Sequence, residues 1–156
     1  MSFILITNDQ SSLSGSIVPA IMIVKFRLTK GSWPIYPGTK SRDKLKVNDK
    51  CFVYVAGRSD FRQNFVSYFT VKAIRESKYS SNNLEENELR LSTPMPIKTL
   101  IFEPTDILKP IYIKDIMKKL DFTKKASTKW GTLMMGGVKI ISNNDSQLLL
   151  ELLKNN

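Results

Sequence analysis

The segment KLKVNDKCFVYV, residues 44–55, decides how the rest of the chain is read. Leu45 and Val47 lead into Asn48-Asp49, and Cys51-Phe52-Val53-Tyr54-Val55 then runs with no charged residue. An apolar run of that length, opened by turn residues, predicts a strand buried in a core. Asn is one of the few non-glycine residues that tolerates a positive φ angle, so Asn48 suits the tight turn before it. Cys51 inside such a run reads as a packed thiol rather than a reactive one.

The neighbouring segments extend this β reading. Phe65 to Ile74 alternates between two faces, and Phe3 to Thr7 reads as a short buried strand stopped by Asn8-Asp9. Ile17 to Leu28 is apolar and β-branched, with Lys25 and Arg27 alternating at its end, which predicts a strand with one wet face. Pro19 confines its start to an edge or a bend. Gly31 to Gly38 holds two prolines, Trp33 and Tyr36, and reads as an aromatic loop. Glu76 to Glu88 reads as a polar, mobile loop, and Leu89–Leu91 and Ile97–Phe102 as further strands.

Two helices are expected. Ile113, Ile116, Met117 and Leu120 sit at helical spacing. A closing helix from about Asn143 to Leu153 has Ser142 as N-cap and Asp145 at the N3 position of a capping box. Five to six short strands with flanking helices point to one small α+β domain, a closed or half-closed barrel. No internal repeat and no second domain are visible across the 156 residues.

Composition removes several function classes. The chain has no histidine and one cysteine. The usual general base, the usual zinc ligand and the Ser-His and Cys-His pairs are therefore missing, and no internal disulfide is expected. Acidic residues are scattered, and Gly136-Gly137 alone does not make a phosphate-cradling loop. No enzymatic role, no cofactor and no metal are expected. The N-terminus lacks a basic n-region and a cleavage site, and the apolar stretches are too short to cross a bilayer, so a cytoplasmic protein with no membrane partner is the default.

Charge then suggests a partner. Lys and Arg total 24 against 14 Asp and Glu, a net +10. So large a charge repels itself and calls for an anionic partner, most commonly nucleic acid and second an acidic membrane surface. The cations concentrate in Lys25–Lys50 and Lys109–Lys129, and each segment carries or adjoins a tryptophan in a Gly-containing loop, Trp33 and Trp130. Cations bind phosphates and exposed aromatic faces stack on unpaired bases. The rival reading is that the lysines solvate a face and the tryptophans are core.

Several motifs, in order, resemble those of the EVE family, part of the PUA-like superfamily that also contains YTH domains. The opening strand Phe3-Ile4-Leu5-Ile6-Thr7-Asn8 is similar to the family's apolar start ending in Thr-Ser or Thr-Asn. Ser32-Trp33-Pro34-Ile35-Tyr36 and Val47-Asn48-Asp49-Lys50-Cys51-Phe52-Val53-Tyr54 resemble its Trp-Gly loop and its Val-x-x-Gly-Asp strand. Leu120-Asp121-Phe122, Lys129-Trp130-Gly131 and Met135-Gly136-Gly137-Val138 resemble its C-terminal pattern. The chain departs from it in Asp9–Leu28, which lacks the family's Trp, and at Pro34, which stands where a glycine is usual.

The resemblance implies a PUA-like barrel with a pocket for a single modified base of DNA or RNA. Expected pocket residues are Thr7, Asn8, Trp33, Tyr36 and Trp130, with Asn8 placed at a strand end to read a base edge. Expected phosphate contacts are Lys40, Arg42, Lys124, Lys125 and Lys129. The alternative is a protein-interaction or antitoxin-like module on the same fold, docking through the acidic stretch Ser80–Asp106.

Overall fold

The computed structural model describes residues 1–76, 83–124, 134 and 136–155. The chain opens with β1 (Ser2–Thr7), the paired short strands β2 (Gln10–Ser11) and β3 (Ile17–Val18), and helix α1 (Ala20–Lys30). Strand β4 (Ser32–Ile35) and a 3-10 turn (Arg42–Lys44) lead to β5 (Lys50–Val55), β6 (Asn64–Thr70) and β7 (Ala73–Glu76). Then come α2 (Leu84–Leu89), β8 (Lys98–Ile101), β9 (Ile111–Tyr112), α3 (Ile113–Ile116), α4 (Asp121–Lys124), β10 (Val138–Ile141) and α5 (Asn143–Lys154).

The quoted segment lies at the centre of the molecule. Strand β5 pairs in parallel with β1, from Ser2 opposite Lys50 to Thr7 opposite Val55. They are the middle of a five-stranded sheet ordered β10-β1-β5-β6-β9, and a three-stranded sheet β4-β8-β7 packs beside it. The turn before β5 forms as expected: Asn48 adopts φ 77°, and the Asp49 carboxylate accepts from the Lys46 amide at 2.8 Å.

Strand alternation divides β1 and β5 between two cores. Phe3, Leu5, Cys51, Val53 and Val55 face one cluster with α1 and β4. Ile4, Phe52 and Tyr54 face the other with α3 and α5. That explains why these strands lack a polar face: a sheet covered on both sides reads as a continuous apolar run. Leu149 and Leu153 of α5 are buried on the second face, and truncating either to Ala would cost about 2–5 kcal/mol. Burial also raises the Cys51 thiol well above its usual pKa, as a packed side chain requires.

Several expected elements differ. Residues 20–30 are helix, not strand. Ala20, Ile23, Val24, Arg27 and Leu28, the buried residues of α1, fall at i, i+3, i+4, i+7 and i+8, the spacing of one helical face. Pro19 precedes the first turn, and the Asp9 carboxylate caps the Ala20 amide at 2.8 Å. Gly31, at φ 66°, ends the helix, and a Cβ there would lie 2.5 Å from the Phe102 carbonyl. The predicted loop after it contains β4. The predicted strand Phe65–Ile74 breaks at Val71-Lys72 into β6 and β7. The polar loop before Glu88 holds α2, capped by the Asn83 side chain accepting from the Glu86 amide.

The C-terminal helix forms where expected, with Ser142 Oγ accepting from the Asp145 amide. The Asp145 carboxylate does something other than close a capping box. It accepts from the Asp121 and Phe122 amides at 2.6 and 3.3 Å, fastening the start of α4 to α5.

Candidate functional site

A cavity of about 340 Å³ opens between the end of β1, strand β4 with the turn after it, residues 92–94, and Gly137-Val138. That volume lies in the range of roughly 300–1,000 Å³ usual for small-ligand sites. Thr7, the last residue of β1, stays paired opposite Val55 and is buried, while Asn8, just past the strand, is exposed at the rim. Strand β4 supplies Trp33, and Tyr36, directly after the strand, also lines the cavity. Gly137 closes the wall, its carbonyl accepting from the Ile6 amide at 2.8 Å. A wider groove beside β6, about 530 Å³, has the exposed Lys72–Glu103 pair and no buried charge on its wall.

Behind the cavity wall lies a buried charge network. Arg27, on the inner face of α1, meets Glu85 of α2 through Nε–Oε2 at 2.5 Å and Nη2–Oε1 at 2.8 Å. Its Nη1 donates to Thr7 Oγ1 at 3.2 Å, and its guanidinium lies 4.6 Å from the centre of the Trp33 ring. The Tyr36 hydroxyl donates to Glu85 Oε1 at 2.8 Å. Burial works against the Arg27 charge, yet the Glu85 carboxylate outweighs it and holds the guanidinium above its ordinary pKa. Burial and the same carboxylate push Tyr36 up to about 12. Thr93 approaches Tyr36 closely enough to offset that rise in part. Its buried hydroxyl nevertheless has no hydrogen-bond partner of regular geometry among the described residues. One cation, one anion and two ring systems thus fix the cavity wall with its net charge cancelled.

Four of the expected pocket residues, Thr7, Asn8, Trp33 and Tyr36, line this one cavity. Their exposures differ. Asn8 is exposed and Tyr36 partly buried. Trp33 is only 2% exposed; Arg27 covers one side of its ring and Phe69 packs at 6.1 Å. It is a wall built into the core, not the open stacking platform expected from an aromatic loop. Lys40 lies across Gly136, next to the lining residue Thr39. Arg42 donates to the Thr39 carbonyl at 3.0 Å. Lys124 is not among the lining residues and sits 3.5 Å from Asp121. Lys125, Lys129 and Trp130 lie outside the described residues.

Arg27, Glu85 and Thr93 were not anticipated. A signal for Arg27 existed in the helical spacing of residues 20–28, which places it on the apolar face. Nothing local marked Glu85, whose partner is 58 positions away. Among the described residues no cluster of metal-ligating side chains forms, and no helix is long and apolar enough to cross a membrane.

No protein-family profile and no curated protein matches the chain by sequence. Its fold does match solved structures. Human THYN1 protein in complex with 5-methylcytosine-containing DNA superposes with a TM-score of 0.59 at 12% identity, covering 99% of this chain and 98% of that one. The YTH domain of the Zygosaccharomyces rouxii MRB1 protein, in complex with N6-methyladenosine RNA, gives 0.55 at 14% identity over 98% and 87%. ASCH from Zymomonas mobilis gives 0.56 at 8% identity over 97% and 94%. The chain therefore shares the mixed α+β fold of these structures, and among the described residues its strands form separate five-, three- and two-stranded sheets rather than the small barrel of five to six strands expected.

Proposed function

We propose that this chain binds nucleic acid and reads one modified base, lifted out of its stack, in the cavity beside β1 and β4. The observation that carries the reading is the meeting of Thr7, Asn8, Trp33 and Tyr36 around one hollow of about 340 Å³. Two proteins of the same fold, bound to methylated DNA and to methylated RNA, support it.

The chemistry of the wall favours a neutral base over a phosphate. Arg27 is neutralised by Glu85, so the interior offers shape and hydrogen bonds without net charge. The Asn8 amide both donates and accepts, as a base edge requires. Tyr36, its hydroxyl protonated at neutral pH and donating to Glu85, offers a flat surface and an acceptor oxygen and does not act as a base. Extruding a base costs a few kcal/mol. Stacking returns about 1–3 kcal/mol, and cations outside the cavity, Lys40 and Arg42 nearest, supply phosphate contacts. This reading assigns the chain no reaction step.

The test is a binding titration with oligonucleotides that differ in a single modified base, DNA and RNA, each at two salt concentrations. Wild type should prefer one modified strand and weaken with salt. Asn8→Ala should remove the preference, while Lys40→Ala should weaken all strands alike. Absence of binding to every strand at low salt would overturn the reading.

A further inference from the structure

We infer that the loop between β5 and β6, residues 56–63, is a second nucleic-acid contact, gripping the strand next to the base held in the cavity. This inference rests on the base-reading function proposed for the cavity.

Its position comes from Asp9, which directly follows the cavity residue Asn8. The Asp9 carboxylate accepts from the Arg58 amide at 3.0 Å and the Ser59 hydroxyl at 2.8 Å, while also capping Ala20 of α1. Gly57 makes this approach possible: at φ 87°, a Cβ would stand 2.7 Å from that carboxylate. One side chain thus ties the cavity rim, the first turn of α1 and the base of the loop together.

The loop carries the residue types that hold a polynucleotide. Arg58 and Arg62 are exposed and neither is held in an ion pair among the described residues, although the Asp9 carboxylate attracts the Arg58 charge. Between them Phe61 is exposed to 37% and adopts φ 65°. A bulky aromatic in the left-handed region is an outlier that the surrounding structure must impose. Its ring is partly exposed, with Arg58 and Arg62 close to it in sequence. Lys25 of α1 faces the same shallow trough as Ser59, with Asp60 as the opposing charge. Guanidinium groups bind phosphates on either side of a base, and a ring presented to solvent stacks on the neighbouring base. A polynucleotide uses both, whereas a free nucleoside in the cavity reaches neither.

The experiment compares ligands of different reach. Free 5-methyl-2′-deoxycytidine and N6-methyladenosine, and short oligonucleotides containing one of each, are titrated into wild type, Phe61→Ala and the double variant Arg58→Ala/Arg62→Ala. All three substituted side chains are exposed, and thermal melts verify folding. For oligonucleotides, Phe61→Ala should weaken binding by about tenfold. The double variant should flatten the log-log salt slope by about 1.5 to 2 units. Nucleoside affinity should not change. Oligonucleotide binding unaltered in both variants overturns the loop assignment and leaves the cavity reading standing. Wild type that binds neither nucleoside nor oligonucleotide overturns the cavity reading, and the loop assignment with it.

Discussion

Arg27 and Glu85, 58 residues apart, form a two-pronged ion pair at 2.5 and 2.8 Å with both side chains under a tenth exposed. Each charge is out of water and depends on the other. Removing one partner leaves an uncompensated buried charge, which costs about 3–5 kcal/mol, whereas replacing both with apolar residues is far milder. Glu85→Leu and Arg27→Met should each lower stability strongly, and the double variant should recover much of the loss. Urea denaturation of the four proteins measures this as a double-mutant cycle. Additive losses would contradict the pairing.

Tyr36 shares the Glu85 carboxylate, and its hydroxyl is pushed up to about 12 from an ordinary 10. The folded state favours the protonated form. Its contribution is present in full below pH 10 and is lost as pH rises towards 12. Wild type should lose stability relative to Tyr36→Phe across that window. A constant difference between the two proteins from pH 9 to pH 12 would contradict it.

Asp9 behaves in the opposite sense. The backbone amides of Arg58 and Ala20 and the Ser59 hydroxyl outweigh the effect of burial and hold its carboxyl below the usual 3.8. Its contribution is present above that pH and disappears as pH falls through the lowered value. Asp9→Asn should be less stable than wild type at neutral pH and converge with it in acid. Equal gaps at pH 7 and pH 2.5 would mean that the ionised carboxylate does not organise the loop and α1.

Residues 44–55 and 142–154 were legible because their patterns are local. An apolar run behind a turn pair makes β5, and a capped stripe of leucines makes α5. Residues 20–28 misled because Ile21, Ile23 and Val24 favour strands while their spacing favours a helix, and packing against the sheet decides the conflict. Of the site, Thr7, Asn8, Trp33 and Tyr36 were named from motifs that resemble the family's, with Asn8 at a strand end and Trp33 and Tyr36 in an aromatic loop. Trp33 turned out interior because β4, read as a loop, pairs with β8 and carries the indole into the core. The Arg27–Glu85 link escaped because no sequence pattern joins a helix residue to one 58 positions later.

Trp33 provides an optical probe. The chain has two tryptophans, so Trp130→Phe isolates the Trp33 emission. Being 2% exposed, the indole should emit at short wavelength and resist quenching by iodide. Trp33→Ala should destabilise by about 3–5 kcal/mol, which makes Tyr36 and Asn8 the cleaner positions for binding tests. Red-shifted, readily quenched emission would place the indole in solvent and remove it from the cavity wall.

The most direct measurement is an NMR titration of the protein with a panel of free modified nucleosides. At least one nucleoside should shift the Asn8 side-chain amide, the Thr7 methyl and the Tyr36 ring signals together, in a saturable manner, and leave α5 unmoved. Saturable shifts at another surface, or none with any nucleoside, would contradict the claim that this cavity receives a base.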